Sequence, residues 1–359
     1  MEKYENFDDN IYSHIEREKK FNYLLILIFS VSLLLIIGIS STLGLMDISI
    51  SEAYKIIIGK LLGIKSLVSG INETKVLVVW DVRLPRILAG AIVGSGLAVS
   101  GAVFQSILGN QLADPYTIGV STGAAFGATI AIFLNLFFVS HLLPIMPFAF
   151  VFALLTLYIV TNISKSGGSI SSSDVILSGI IISSILSAGI SFLKTLAGEQ
   201  VGAIVFWIMG SLSARSWTHI IISLPMVIVL ITIIMLNVDE LDIMALGKTE
   251  ANNLGLDYEK KLKKYMIISS LLTATCVSIS GVIGFVGLVV PHLVRMSISS
   301  RNRNVVLMSA LLGGNILVIA DNIARLSSSI EIPVGVFTTL LGGPFFMYIY
   351  IKRKRGITK

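Results

Sequence analysis

Gly247, Lys248 and Thr249 form a tripeptide with the chemistry to hold a nucleotide phosphate. A phosphate-binding loop wraps backbone N–H groups and a lysine around phosphate oxygens. It needs a glycine five residues upstream and a strand before it. Position 242 is Asp242, and an apolar run ends just before this loop, so the phosphate-loop reading is excluded. His14, His141, His219 and His292 are scattered without ligand spacing, and Cys276 is the single cysteine, in an apolar run. That excludes a disulfide framework and a cysteine metal cluster. No nucleophile–base pair is apparent. Gln105 and Asn315 fall inside apolar runs, where amides hydrogen-bond between helices, and Asp174 suits a helix N-terminus. No series of carboxylates or histidines marks an ion relay. The chain is therefore expected to be no enzyme and to carry no metal or cofactor of its own.

The remaining chemistry is recognition. Arg83 and Arg86 flank Pro85 at the mouth of one apolar run, and Arg325 follows Asp321 at the end of another. Each alone reads as an interfacial arginine that snorkels. Three together also fit a positive rim for an acidic partner. At 245–265 the loop ALGKTEANNLGLDYEKKLKKY reads as a short amphipathic helix with Ala251, Leu254 and Leu256 on one side. It suits either a connector resting on lipid or a docking element for a partner, and residue types leave both open.

The elements that carry these groups are membrane spans. Of 359 residues 54% are hydrophobic and only 13% charged, which excludes an ordinary soluble domain. Residues 1–20 are polar and the apolar run Phe21–Met46 is too long for a signal core, so it reads as a retained span. On a ruler of roughly 20 residues per crossing, spans are expected near 22–43, 87–108, 116–138, 144–164, 175–196, 218–238, 264–284, 286–299, 305–322 and 333–351. The uncharged run Tyr265–Val294 is too long for one span and short for two, with its bend at GVIGFVG, 281–287. Asp47–Gly70, Lys194–Trp217 and Asp239–Lys264 are expected not to cross. Lysines 248, 260, 261, 263 and 264, arginines 301 and 303, and the basic tail 352–359 then share a side with the N-terminus, which makes that side cytoplasmic. The organisation is an all-α polytopic protein: a cytoplasmic segment 1–20, one transmembrane domain 21–351 and the tail.

Arg83–Gly127 is the densest stretch: RLPR, a glycine-rich run, an Asn-Gln-Leu-Ala-Asp-Pro turn and GVSTGAAFG. With MGSLS at 209–213, ALGKTEANNLG at 245–255, GFVGLVVPHLVR at 284–295, AD with Arg325 at 320–325, and PVGVFTTLLGGPFF at 333–346, it resembles the permease family of type II ABC importers. That family carries ferric siderophores, haem and cobalamin. The resemblance covers about residues 25–351. Gln111 stands where members often have proline, which loosens that turn locally.

The resemblance implies a dimer of ten-helix subunits, identical or closely homologous, with the pathway between them. It implies two cytoplasmic ATPase subunits that bind ATP and Mg, and an extracytoplasmic binding protein. Gly247, Glu250, Ala251, Leu254 and Gly255 match the element that couples to the ATPase. Arg83, Arg86 and Arg325 match positions that pair with glutamates of the binding protein. Ser178, Ser183, Ser184 and Ser187 fall on the helix expected to line the pathway, where serines also serve as packing residues. Localisation in a bacterial cytoplasmic membrane follows, with ferric siderophores the leading substrate on family frequency and haem or cobalamin the alternatives. An ion-driven secondary carrier is the competing class. It would need buried ionisable groups near the membrane midplane.

Overall fold

The computed structural model describes residues 2–137, 143–165, 172–327 and 331–357, and every regular element among them is helical. His141 lies outside the described residues. Helix α1 (Glu2–Ser40) runs from the polar N-terminus through the first span. Helix α2 (Ile50–Leu62) lies after it, started by a reciprocal Ser49–Glu52 capping box and stopped at Gly63 in the left-handed region. Lys75 pairs with Glu52 at 2.8 Å and ties α2 to the chain that re-enters the bundle.

That re-entry is helical from Glu73, passes through a π-helical turn at Val78–Arg83, and becomes α3 (Leu84–Ile107). The second span thus starts earlier than the expected residue 87. Of the most apolar window in Glu73–Ile107, 89% is buried, so α3 is the axis of the bundle. Small residues permit this, because a helix buried on all sides must let neighbouring backbones approach. After a non-helical break, Pro115–Ile118 forms a single 3₁₀ turn, capped by Asp114, and α4 (Val120–Phe137) follows.

Next come α5 (Ile145–Ile163) and α6 (Ser172–Ala197). A 3₁₀ turn at Gly198–Val201 and α7 (Gly202–Ile208) continue α6, so most of the connection Lys194–Trp217 is helical. Helix α8 (Trp217–Leu236) begins at a Ser216–His219 capping box, and Trp217 stacks on Trp80 with ring centroids 4.8 Å apart. Two short helices, α9 (Asp239–Met244) and α10 (Lys248–Asn253), occupy the basic loop before α11 (Tyr258–Ser280).

The bend expected at 281–287 is present. Gly281 and Phe285 both have positive φ, and the non-helical chain between them leads to α12 (Val286–Ser297), a helix of only 12 residues. Helices α13 (Asn302–Leu326) and α14 (Val334–Ile357) complete the fold. Among the described residues, eight helical runs are long and apolar enough to cross a bilayer, and the apolar helices Val286–Ser297 and Val334–Tyr348 are shorter. With these two the expected ten apolar segments are all helical. Helices α8, α11, α12 and α13 all pack on α3. Gln105 donates to the Leu288 carbonyl at 3.1 Å, and Asn315 donates to Phe29 at 3.1 Å while accepting from Ser32, so both amides join helices as expected.

Candidate functional site: polar clusters at the two ends of the bundle

At one end of the bundle, among the described residues, Arg83, Arg215 and Arg325 gather around Arg86, which is paired with Asp321 and Glu331. Arg83 is 4% exposed and its guanidinium is spent on backbone carbonyls, Nη1 on Ser41 and Thr42 (3.0 and 2.9 Å) and Nη2 on Met46 (2.8 Å). Arg325 donates to the Ser40 carbonyl at 3.1 Å and to Asn322 at 2.9 Å. Both arginines therefore close the C-terminal end of α1, where helix carbonyls lack intrahelical donors. The reading of three arginines as an open rim does not describe these two. Apart from the Asn322 side chain their partners are main-chain oxygens, which leave no mark in a sequence.

Arg86 is also buried. Its Nε and Nη2 make a two-pronged pair with Asp321 at 2.8 and 2.9 Å, and Nη1 meets Glu331. Such forks bring geometric specificity as well as energy. The Glu331 side chain is 45% exposed and also accepts from the Ser213 hydroxyl. Burial pushes the Glu331 carboxyl up, but the Ser213 hydrogen bond and the Arg86 charge outweigh it and hold the group below the usual carboxylate range. The fourth arginine, Arg215, donates through Nε to the Ser213 carbonyl at 3.0 Å. It lines a cavity of about 340 Å³ with Phe206, Trp207 and Ser211. Burial and then the nearby Arg86 charge lower its proton affinity. Sequence reasoning missed Arg215 and Glu331. Glu331 left one signal, a lone acid beside the start of an apolar span.

At the other end lies the basic loop. Ala251 is fully buried, whereas Leu254 is 63% and Leu246 59% exposed. Leu254 is thus on the opposite side from Ala251, contrary to the expected shared face. Helix α10 has only six residues, too few for an apolar periodicity to establish a face. Gly247 and Gly255 hold φ of +102° and +84° at the two turns that bound the tip, and Glu250 is exposed beside them.

Two acids of α9 anchor this tip. Glu240 pairs with Lys261 and, at 3.4 Å, with Lys264, and lies 2.9 Å from the Tyr265 hydroxyl. Asp242 accepts from the main-chain N–H and the side-chain amide of Asn302 at 2.9 and 2.8 Å. Asn302, 1% exposed, turns its Oδ1 to Arg295 Nη2 (2.7 Å) and Ser106 Oγ (2.6 Å), and Arg295 also reaches the Ala102 carbonyl. A continuous polar chain therefore runs from the exposed loop through the start of α13 and the end of α12 to the end of α3. Asp242, Arg295 and Asn302 were not foreseen, since residues this far apart in sequence carry no local signal.

The four serines of α6 divide. Ser178 is buried and Ser183 lies against Gly119 in the turn before α4, while Ser184 and Ser187 are exposed with Ile181 and Ile185. Only 17% of the most apolar window in Ser173–Ile208 is buried. The chain thus leaves most of this helix uncovered.

Asp114, in the same turn, is buried and accepts from Tyr116 N–H at 3.1 Å. Burial pushes its carboxyl up to about 6, against the pull of that hydrogen bond. A carboxyl raised on folding stabilises least when ionised, so its cost appears as pH rises past the unfolded value near 4 and is complete above about 7. Asp114→Asn keeps a capping side chain. It is expected to melt a few degrees higher than the parent at pH 8 and equally at pH 4, measured by thermal denaturation in detergent.

The FecCD transport family profile matches residues 31–352. The cobalamin import system permease protein BtuC of Halobacterium salinarum is 38% identical over 285 residues, covering 79% of this chain and 76% of the relative. The molybdate import system permease protein MolB of Haemophilus influenzae is 35% identical over 332 residues, covering 92% and 96%. Among solved structures, a metal-chelate type ABC transporter in an inward-facing conformation superposes with a TM-score of 0.78 at 31% identity, covering 91% of this chain and 98% of that one.

Proposed function

The chain belongs to the FecCD transport family and is a multi-pass permease of an ABC importer; from that premise we propose that it imports a ferric siderophore. The pathway would run between two such chains, identical or homologous. ATP and Mg would bind separate ATPase subunits on the side of the basic loop, and the lysine and arginine distribution supports that side as the cytoplasmic one. A loaded binding protein would dock at the arginine end. Two relatives named for substrates as unlike as cobalamin and molybdate leave the cargo to be measured, and the metal-chelate neighbour favours a chelate.

The observation that carries the coupling role is the loop at 245–255. It presents Leu246 and Leu254 to solvent while Glu240 and Asp242 fix its base to α11 and α13. An exposed apolar tip on a rigid base suits insertion into a cleft of a partner. Selectivity would rest mainly on the binding protein, because between Asp174 and Lys194 the exposed α6 face offers only serines and apolar side chains.

Cells lacking this chain, with a complemented control, are expected to lose uptake of radio-iron ferric siderophore while keeping haem and labelled cobalamin uptake. Loss of haem or cobalamin uptake instead would replace the substrate and keep the architecture. Purified chain in proteoliposomes should show no uptake on a proton or sodium gradient; ion-driven accumulation would replace the class.

A further inference from the structure

The polar groups around the cavity beside Arg215 are unequally used. Ile132 and Leu136 of α4, Ile145 at the start of α5, and Phe206 and Trp207 of α7 give this cavity an apolar wall. Asn135, on the same wall, exchanges hydrogen bonds with the Leu143 main chain at 2.9 and 3.0 Å, and the Ser280 hydroxyl donates to the Cys276 carbonyl at 3.0 Å. Two residues keep donors to offer. The Ser211 hydroxyl accepts from the Ser213 N–H at 3.0 Å, which leaves its own proton to give. Arg215 uses Nε on the Ser213 carbonyl, and among the described residues its two terminal nitrogens have no hydrogen bond or ion pair.

A half-buried guanidinium is costly to leave without an anion. Burial lowers the proton affinity of Arg215, and the charge acting on it is a second cation, Arg86, and not an acid. Ala214 holds φ at +56° in the turn that brings Nε to the Ser213 carbonyl, a conformation that costs a residue with a side chain about 1 kcal/mol.

We infer that this cavity binds a membrane phospholipid, its phosphate on Arg215 Nη and Ser211 Oγ and the upper part of one acyl chain against Phe206 and Trp207. The lining decides the class of ligand. A free oxyanion would leave the apolar wall bare, and a neutral lipid would leave the guanidinium unpaired. The volume of about 340 Å³, room for about ten water-sized groups, exceeds what an oxyanion fills and falls short of an entire lipid. The cavity also lies at headgroup depth, where α4 and α11 end and α5 begins, opposite the basic loop. Because Arg86 adds positive charge nearby, an anionic headgroup is preferred to a zwitterionic one. A bound lipid would tie α7, the continuation of α6, to α4 and α5.

The test uses the purified full-length chain, stripped of lipid in detergent. Dioleoyl phosphatidylglycerol, dioleoyl phosphatidylcholine or inorganic phosphate is added, and bound lipid is counted by native mass spectrometry. The parent is expected to hold about one phosphatidylglycerol per chain, about fivefold more tightly than phosphatidylcholine. Arg215→Gln should weaken phosphatidylglycerol about tenfold and abolish the preference, and Arg215→Lys should recover part of both. Ala203 lines the cavity from an exposed position, so Ala203→Trp should fill it and exclude the lipid with the charge intact. Undiminished phosphatidylglycerol binding by Arg215→Gln would overturn the site, and undiminished binding by Ala203→Trp would put the lipid outside the cavity. Displacement of the lipid by millimolar inorganic phosphate would make this a free-anion site and overturn the lipid assignment. Binding is read without transport, so each result holds whatever the cargo.

Discussion

Gly101→Val is expected to abolish the folded protein, leaving no monodisperse peak after detergent extraction. A Cβ at Gly101 would lie 1.7 Å from the carbonyl oxygen and 2.5 Å from the carbonyl carbon of Gly287. Both atoms are main chain at the start of α12, so no side chain can rotate away. Relief requires α12 to part from the central helix α3, and α12 carries Arg295 and the Leu288 carbonyl that bind α3. Overpacking in a core that can adjust costs about 1–3 kcal/mol, and a rigid backbone contact this short lies beyond that range. Gly202→Ala is the matched control: no atom lies within 4 Å of its added Cβ and its φ is helical. A gain of about 0.5–1 kcal/mol is expected there, from the reduced freedom of the unfolded chain. A normal elution profile for Gly101→Val would mean that α3 and α12 do not cross at this point.

These two glycines show what a sequence can and cannot reveal here. The spans were legible because a bilayer imposes one length on every crossing, and the break at 281–287 because an uncharged run of that length cannot be a single helix. Gly101 was visible as part of a glycine-rich run, but its partner Gly287 was not, since close approach is a property of two helices. The same limit governs the sites. The exposed tip around Leu254 could be located by its charge and its turns, whereas its facing could not. Arg83, Arg86 and Arg325 stood out in the sequence as a group at the ends of apolar runs. Their burial and their unequal accessibility depend on the Ser40–Met46 carbonyls, Asp321 and Glu331, which come from elsewhere in the chain. Pairings over long separations are where physical reasoning on one sequence runs out.

The second large effect concerns the basic loop. Leu254→Glu is expected to cut substrate uptake by two orders of magnitude or more. It should also either strip the ATPase from the purified complex or leave hydrolysis that no longer responds to loaded binding protein. Leu254 contributes nothing to the core, since its side chain is exposed, so the variant should reach the membrane in normal amounts. A charge placed in an apolar contact of a partner cleft is desolvated without a counter-ion, which costs several kcal/mol of association. Survival of both copurification and stimulated turnover would reduce the loop to a connector. Asn302→Ala separates contact from transmission. It removes the amide that joins Asp242 on the loop side to Arg295 and Ser106 on the core side, yet leaves Leu246 and Leu254 in place. The ATPase should therefore still copurify, while more ATP is hydrolysed per substrate moved. A rise in that ratio with an intact complex is an outcome that general destabilisation does not produce. It would place the mechanical link on Asp242, Asn302 and Arg295, between a loop that grips the ATPase and the ends of α3 and α12 that must move.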